Sequence, residues 1–92
     1  MPFIRIPEPL RRYTGGDICF AVAGETVGEA LEAAFRIHPE LRRRLVDDEG
    51  RVHRHLAVFR DETAVAREGV VALAVAPDDT LTFIEAVGGG AT

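Results

Sequence analysis

The sequence contains no Lys, Asn, Gln, Ser or Trp, and only one Cys and one Met among its 92 residues. A single cysteine excludes a disulfide framework and any four-cysteine zinc site. Without Lys, all eleven basic residues are Arg. No side-chain amine is then available to accept an acyl group, so acyl chemistry on this chain has to use a terminus. Long apolar runs are also missing. The longest, Val70 to Pro77, falls far short of the ~20 residues that span a bilayer, and a charge already stands at Arg5. The expectation is a chain without a membrane span or secretory leader, working in the cytoplasm. Positive charge is not in excess either. Eleven Arg against fifteen Asp and Glu leave a net charge of −4, which argues against nucleic acid as the main partner. What remains is 47% apolar and 28% charged, the balance of a globular protein and not of a disordered one.

No repeat, linker or low-complexity tract divides the chain. Phe3 to Pro7 reads as a short strand with Ile4 and Ile6 on one face, ended by Pro7 and Pro9. Tyr13-Thr14-Gly15-Gly16 supplies a turn. Asp17 to Ala23 follows as a second strand, antiparallel to the first, with Ile18, Phe20 and Val22 alternating with Cys19, Ala21 and Ala23. Thr26 then opens a helix as N-cap, and Glu29 completes a capping box. Val27, Leu31, Ala34, Phe35 and His38 form its apolar stripe. Pro39 stops this helix and begins a short second one with Leu41 and Leu45 inward. After a turn at Asp47-Asp48-Glu49-Gly50, Val52 to Arg60 reads as a third strand. It places Val52, Leu56 and Val58 on one face and His53, His55, Ala57 and Phe59 on the other. Val70 to Ala76 reads as a short apolar strand or an extended segment without clean alternation. Thr80 to Val87 is the last strand, with Leu81, Phe83 and Val87 inward and Thr82 and Ile84 outward. The order implies an α+β fold, a mixed sheet with one main helix on one face. The face left uncovered, around Phe59, Thr82 and Ile84, is the natural docking surface.

The C-terminus, Val87-Gly88-Gly89-Gly90-Ala91-Thr92, stands apart. Residues 1–87 are expected to form the folded body and residues 88–92 a glycine-rich tail. Such an arm, free of Cβ atoms over three positions, suits a narrow channel in another protein, although a frayed end has the same composition. Other candidate sites are weaker. Cys19 lies mid-strand without a second cysteine or an evident base and reads as a small strand residue. His53 and His55 point the same way along the expected third strand, but no third metal ligand accompanies them, and His38 closes the helix stripe. No metal is therefore expected. Arg42-Arg43-Arg44 reads as a solvated helix face. Gly15-Gly16 lacks the spacing of a phosphate loop, and Asp47, Asp48, Asp78 and Asp79 are turn residues.

Arg5-Ile6-Pro7-Glu8-Pro9-Leu10-Arg11, Thr14-Gly15-Gly16, Gly24-Glu25-Thr26-Val27-Gly28-Glu29-Ala30-Leu31, Gly50-Arg51-Val52-His53-Arg54, Val58-Phe59 and Glu85-Ala86-Val87-Gly88-Gly89-Gly90 occur in an informative order. In that order and spacing the chain resembles the MoaD/ThiS-type sulfur carriers, ubiquitin-like β-grasp proteins, and most of all their CysO-like subgroup. The resemblance implies a β-grasp fold and a protein cosubstrate, not an enzyme. It binds no cofactor itself. An E1-like adenylyltransferase uses ATP to activate the terminal glycine, here Gly90 preceded by Gly88 and Gly89, and sulfide converts it to a thiocarboxylate. A sulfur-accepting synthase then takes the sulfur for cysteine, a cofactor or a specialised metabolite, and the likeness to this subgroup favours a cysteine-synthase-like one. The chain departs from the pattern at Asp61-Glu62-Thr63-Ala64, at Pro77-Asp78-Asp79, and at its end, where Ala91-Thr92 extends past Gly90. A carrier role implies that a protease, of JAMM type by the same resemblance, removes those last residues. The alternatives are a ubiquitin-like binding or regulatory module without acyl chemistry, or the small subunit of a molybdopterin synthase. A small enzyme would need a catalytic constellation that the sequence does not present.

Overall fold

The structure, a computed structural model, describes residues 1–85. Among them, five strands form one mixed sheet: β1 (Phe3–Arg5), β2 (Cys19–Ala21), β3 (Leu56–Arg60), β4 (Thr63–Val65) and β5 (Thr80–Glu85). Their spatial order is β2-β1-β5-β3-β4. β1 and β5 pair in parallel at the centre, and the other contacts are antiparallel. Two helices, α1 (Val27–Ile37) and α2 (Leu41–Leu45), cover one face. The α+β architecture expected from the sequence is the one observed.

The start of α1 follows from its capping residues. The Thr26 hydroxyl accepts a hydrogen bond from the Glu29 amide at 3.1 Å, and the Glu29 carboxylate accepts one from the Glu25 amide at 2.9 Å. These bonds satisfy amides that would otherwise lack partners at a helix start. The helix ends at His38, which precedes Pro39 and adopts φ −131°, as the steric conflict before proline demands. Val27, Ala30, Leu31, Ala34 and Phe35 are buried against Ile4, Val58, Leu81 and Phe83 of the sheet. Ile18 and Phe20 are half-buried at the margin of this core. His38 stands edge-on to Phe20 with ring centroids 5.0 Å apart. α2 contributes Leu41 and Leu45, both fully buried.

Two glycines fix how the chain enters α1. Gly24 has φ +154°, and a Cβ there would lie 2.6 Å from the Ala30 backbone nitrogen. At Gly28 a Cβ would lie 3.0 Å from the Val71 carbonyl oxygen, so the missing side chain lets the segment after β4 cross the helix closely.

That crossing corrects the expected strand at 70–76. Val70–Ala72 is a short 3-10 helix, and beyond it Leu73 accepts a hydrogen bond from the Val27 amide at 2.9 Å. Val75 donates to Glu25 at 3.1 Å, and Ala74 forms an isolated bridge with Thr26. The segment therefore straps the N-terminus of α1 and does not enter the sheet. The sheet position beside β3 belongs to β4, a strand not expected from the sequence. A two-residue turn, Asp61-Glu62, makes that hairpin, with Asp61 at φ +54°, a conformation that Asp tolerates well. Asp61 also holds β5: its amide donates to Thr80 at 2.7 Å, and its carboxylate accepts from the Thr80 amide at 3.0 Å.

The third strand is shorter than expected. It begins at Leu56, which pairs with Glu85, the last described residue of β5. Val52 is buried but bridges Val46, and residues 53–55 form a turn closed by the Leu56 amide and the His53 carbonyl. A 3-10 helix at Glu8–Tyr13, missed by the sequence reading, follows β1 and buries Leu10. Pro9 fits its first turn because an amide there has no helical partner to lose.

Candidate functional site

β5 alternates strictly across the sheet. Leu81 and Phe83 are 0% exposed under α1, while Ile84, on the other face, is 47% exposed. The register builds a surface from this alternation. Thr82 faces Phe59 of β3 on one side and Arg5 of β1 on the other, and Ile84 faces Ala57. The ladder continues from Arg5 to Cys19 on β2 and from Phe59 to Ala64 on β4. The three residues expected to form the docking surface, Phe59, Thr82 and Ile84, thus share one face on adjacent strands. Phe59 and Thr82 are half-buried by their neighbours. No helix among the described residues covers them.

Two contributors were not singled out in the sequence. Phe3, 42% exposed, and Arg5 extend the surface from β1. The alternation that buries Ile4 and Ile6 carries the signal for both. A hollow of about 370 Å³ lies where β5 ends, lined by Thr82 and Ile84 together with Arg5, Pro7, Pro9 and Ile18. Glu8 and Pro9, at the start of the 3-10 helix, form part of its wall. The resulting surface is mostly apolar or small, with Arg5 as the cation in its middle row. A partner can bury it at little desolvation cost.

The glycines expected to carry the chemistry, Gly88, Gly89 and Gly90, lie outside the described residues, as do Val87, Ala91 and Thr92. The described chain ends at Glu85 on the central strand, at the edge of the hollow.

The charged groups with shifted titration sit elsewhere. Glu32 on α1 accepts hydrogen bonds from Arg42 of α2 at 2.7 and 3.2 Å, and this pairing holds its carboxyl below the ordinary range. Arg42 also lies over the Phe35 ring, 4.9 Å from its centroid, so it ties α2 to α1. The Asp47 carboxyl is held low by the amides of Arg51 and Glu49. It is a turn residue, as expected. Arg43 and Arg44 are exposed, and Arg44 stacks on Tyr13 at 4.7 Å. Cys19 is an exposed free thiol on an edge strand.

His53 and His55 need a correction. They occupy the turn before β3 and not a strand, and their rings stack with centroids 5.2 Å apart. Nε2 of His53 donates to the Arg43 carbonyl at 2.9 Å. Among the described residues, no group of three or more His, Cys, Asp or Glu is placed to hold a metal ion, and no helix is long and apolar enough to cross a membrane.

Comparison with known proteins gives this arrangement its context. Residues 4–90 match the ThiS family. The sulfur carrier protein CysO of Mycobacterium tuberculosis is 30% identical over 89 residues, covering 95% of this chain and 96% of CysO. In the BexX/CysO complex of Amycolatopsis orientalis, the similar chain superposes with a TM-score of 0.86 at 33% identity, covering 98% of this chain and all of that one. Small archaeal modifier protein 1 from Haloferax volcanii superposes with a TM-score of 0.72 at 31% identity, covering 97% of this chain and 98% of that one. With a mixed sheet grasping one helix and a family match across nearly its whole length, the chain belongs to the ThiS family and has the ubiquitin-like β-grasp fold of the CysO sulfur carriers.

Proposed function

We propose that this protein carries sulfur as a thiocarboxylate on Gly90, which becomes the terminus once Ala91 and Thr92 are removed. The observation that carries this reading is the end of the family match. It stops at Gly90, two residues before the chain does. On this reading, residues 1–87 are the β-grasp body and residues 88–92 the tail that partners handle.

A glycine carboxylate is a poor acyl donor. An E1-like enzyme supplies the activation: the carboxylate of Gly90 attacks the α-phosphorus of ATP, forming an acyl-adenylate and releasing pyrophosphate. Sulfide then attacks the acyl carbon and AMP leaves, so that sulfur replaces one carboxylate oxygen. The product is an anionic sulfur nucleophile that only proteins recognising the carrier can use. Catalysis belongs to the partners, and ATP is consumed by them and not held by this chain. The reactions take place in the cytoplasm.

The open sheet face suits this role. Phe59, Thr82 and Ile84 give a partner an apolar footing on the strand that leads to the tail, and α1 stabilises that strand from behind. The proposed partners are the E1-like enzyme, a JAMM-type metalloprotease that exposes Gly90, and a sulfur-accepting synthase. The similarity to CysO favours a cysteine-synthase-like acceptor over a molybdopterin synthase large subunit. The similar chain in the BexX/CysO complex supports docking of such a carrier on a partner protein.

Intact mass of the protein purified from its native host tests the reading. The expected species has lost Ala91 and Thr92 and has exchanged one oxygen for sulfur. A chain that retains both residues under sulfur demand, with no sulfur gained, would favour a ubiquitin-like binding module without acyl chemistry.

A further inference from the structure

The loop before β3 forms a cleft of about 380 Å³ lined by Asp47, Arg51, His53, Arg54, His55 and Arg67. Its one carboxylate is already engaged. Asp47 accepts hydrogen bonds from the amides of Glu49 and Arg51 at 2.8 and 3.0 Å, and its other oxygen lies 3.7 Å from Nε of Arg51. Glu49 also pairs with Arg51. These two carboxylates more than neutralise Arg51, so Arg54 and Arg67 leave the cleft and its rim with a net surplus of one positive charge. Among the described residues, neither sits in an ion pair. Arg67, half-buried, is anchored by one bond, from Nη1 to the Val52 carbonyl at 3.0 Å, which uses one of its five guanidinium donors. The stacked rings of His53 and His55 complete the cleft. The cleft is thus a local cationic site on a chain whose net charge is −4.

Its position gives it a meaning. Leu56 pairs with Glu85, so Arg54 and His55 immediately flank the point where the described chain ends. The cleft therefore lies beside the end of the described strand, on the β3 side, within reach of a partner that approaches there. We infer that the cleft seats a carboxylate-rich segment of the partner protein that receives the tail. The inference rests on the sulfur-carrier reading, because that reading supplies a partner at this end of the sheet.

Magnitudes favour this occupant over the chain's own terminal carboxylate. Residues 86–92 are long enough to reach back. Self-binding would nevertheless fix seven residues, three of them glycine, and that entropy exceeds what a few exposed ion pairs return. A partner that already grips the tail brings its carboxylates to the cleft without that cost. The field of the cleft also orients its approach and raises the association rate.

The test is steady-state adenylation by the host's E1-like enzyme, using chains that end at Gly90. Arg54→Glu and His55→Glu are each expected to raise KM for the carrier by about tenfold at low salt while leaving kcat within about twofold, the signature of lost steering and docking. The difference should shrink in about 0.5 M NaCl, where screening shortens the reach of the cleft's field. Arg36→Glu, the same charge change as Arg54→Glu but on the exposed side of α1, is expected to leave both constants unchanged. Thermal melts identify any variant that does not fold, and the other then carries the test. Unchanged KM for both cleft variants, with the unsubstituted chain adenylated normally, overturns the inference and leaves the carrier reading intact. Failure of the unsubstituted chain overturns both. In a second arm, inorganic phosphate is titrated at constant ionic strength against the His53 and His55 resonances. Saturation below about 1 mM, as a built small-anion site would give, together with unchanged KM, would make this a small-anion site and also overturn the inference.

Discussion

The two faces of β5 divide the molecule's tasks. On one, Leu81 and Phe83 are fully buried against α1; on the other, Ile84 is exposed and Thr82 half-buried beside Phe59. Neighbouring residues of one strand therefore answer to different demands. The inward face holds the strand in place, and the outward face is the one proposed to meet a partner. The comparison teaches that stability and recognition can be perturbed separately in this fold, one residue apart.

Substitutions on the inward face should have the largest effect on folding. Phe83→Ala or Leu31→Ala is expected to cost about 2–5 kcal/mol, the range for emptying a close-packed core site, and denaturant melts would read it. For a chain this small, that is a large share of total stability. A cost below about 1 kcal/mol at both sites would mean that the helix does not seal this face.

Next in size is the entry to the covering helix. Gly24→Ala places a Cβ against the Ala30 backbone at a positive φ, and a loss of about 1–3 kcal/mol is expected in the same melts. Thr26→Ala, which removes the N-cap acceptor of the Glu29 amide, should cost about 1 kcal/mol. The two results together separate backbone strain from capping in the placement of α1.

The outward face should behave in the opposite way. Ile84→Arg is expected to leave stability within about 0.5 kcal/mol, as for an exposed site, while weakening adenylation by the E1-like partner. Phe59→Asp should weaken it too, with a somewhat larger folding cost because Phe59 is half-buried. If Ile84→Arg unfolds the chain, the two faces are not independent.

The smallest effect concerns pH. Arg42 depresses the Glu32 carboxyl in the folded state, so this pair stabilises the fold above the ordinary carboxyl range. The contribution fades as pH falls below about 4.3 and through the lower folded-state value. Both side chains are more than half exposed, so solvent screening keeps the effect small. Glu32→Gln should lower the melting temperature slightly at neutral pH and reduce its decline in acid. An unchanged acid profile would remove this pair from the account.

Much of this architecture is legible in the sequence where periodicity and capping agree. Thr26 and Glu29 mark the start of α1, Pro39 marks its end, and the alternation of Leu81 to Ile84 assigns both faces of β5. Three elements were not legible, each for a physical reason. β4 has only three residues, and its signal is the single left-handed Asp61. Val70 to Ala76 is apolar without alternation, so composition alone does not reveal that it straps α1 through the Val27 and Val75 amides. His53 and His55 mimic strand alternation, yet Leu56 is the first residue of β3. At the candidate site, Phe59, Thr82 and Ile84 followed from local pattern. The hollow beside them did not, because it joins Pro7 and Pro9 to β5 across most of the chain. The role proposed for the glycine tail rests on resemblance, since no local rule distinguishes a reactive terminus from a frayed one.

The most direct test of the central claim compares two forms of the chain, one ending at Gly90 and one carrying Ala91 and Thr92, as substrates for the host's E1-like enzyme with ATP. Two extra residues displace the terminal carboxylate by roughly 6–7 Å of extended chain, too far for attack on the α-phosphorus in a site built for glycine. The account predicts acyl-adenylate formation, read as ATP–pyrophosphate exchange, with the shorter form only. Equal exchange by the full-length chain, adenylated at Thr92, would contradict it.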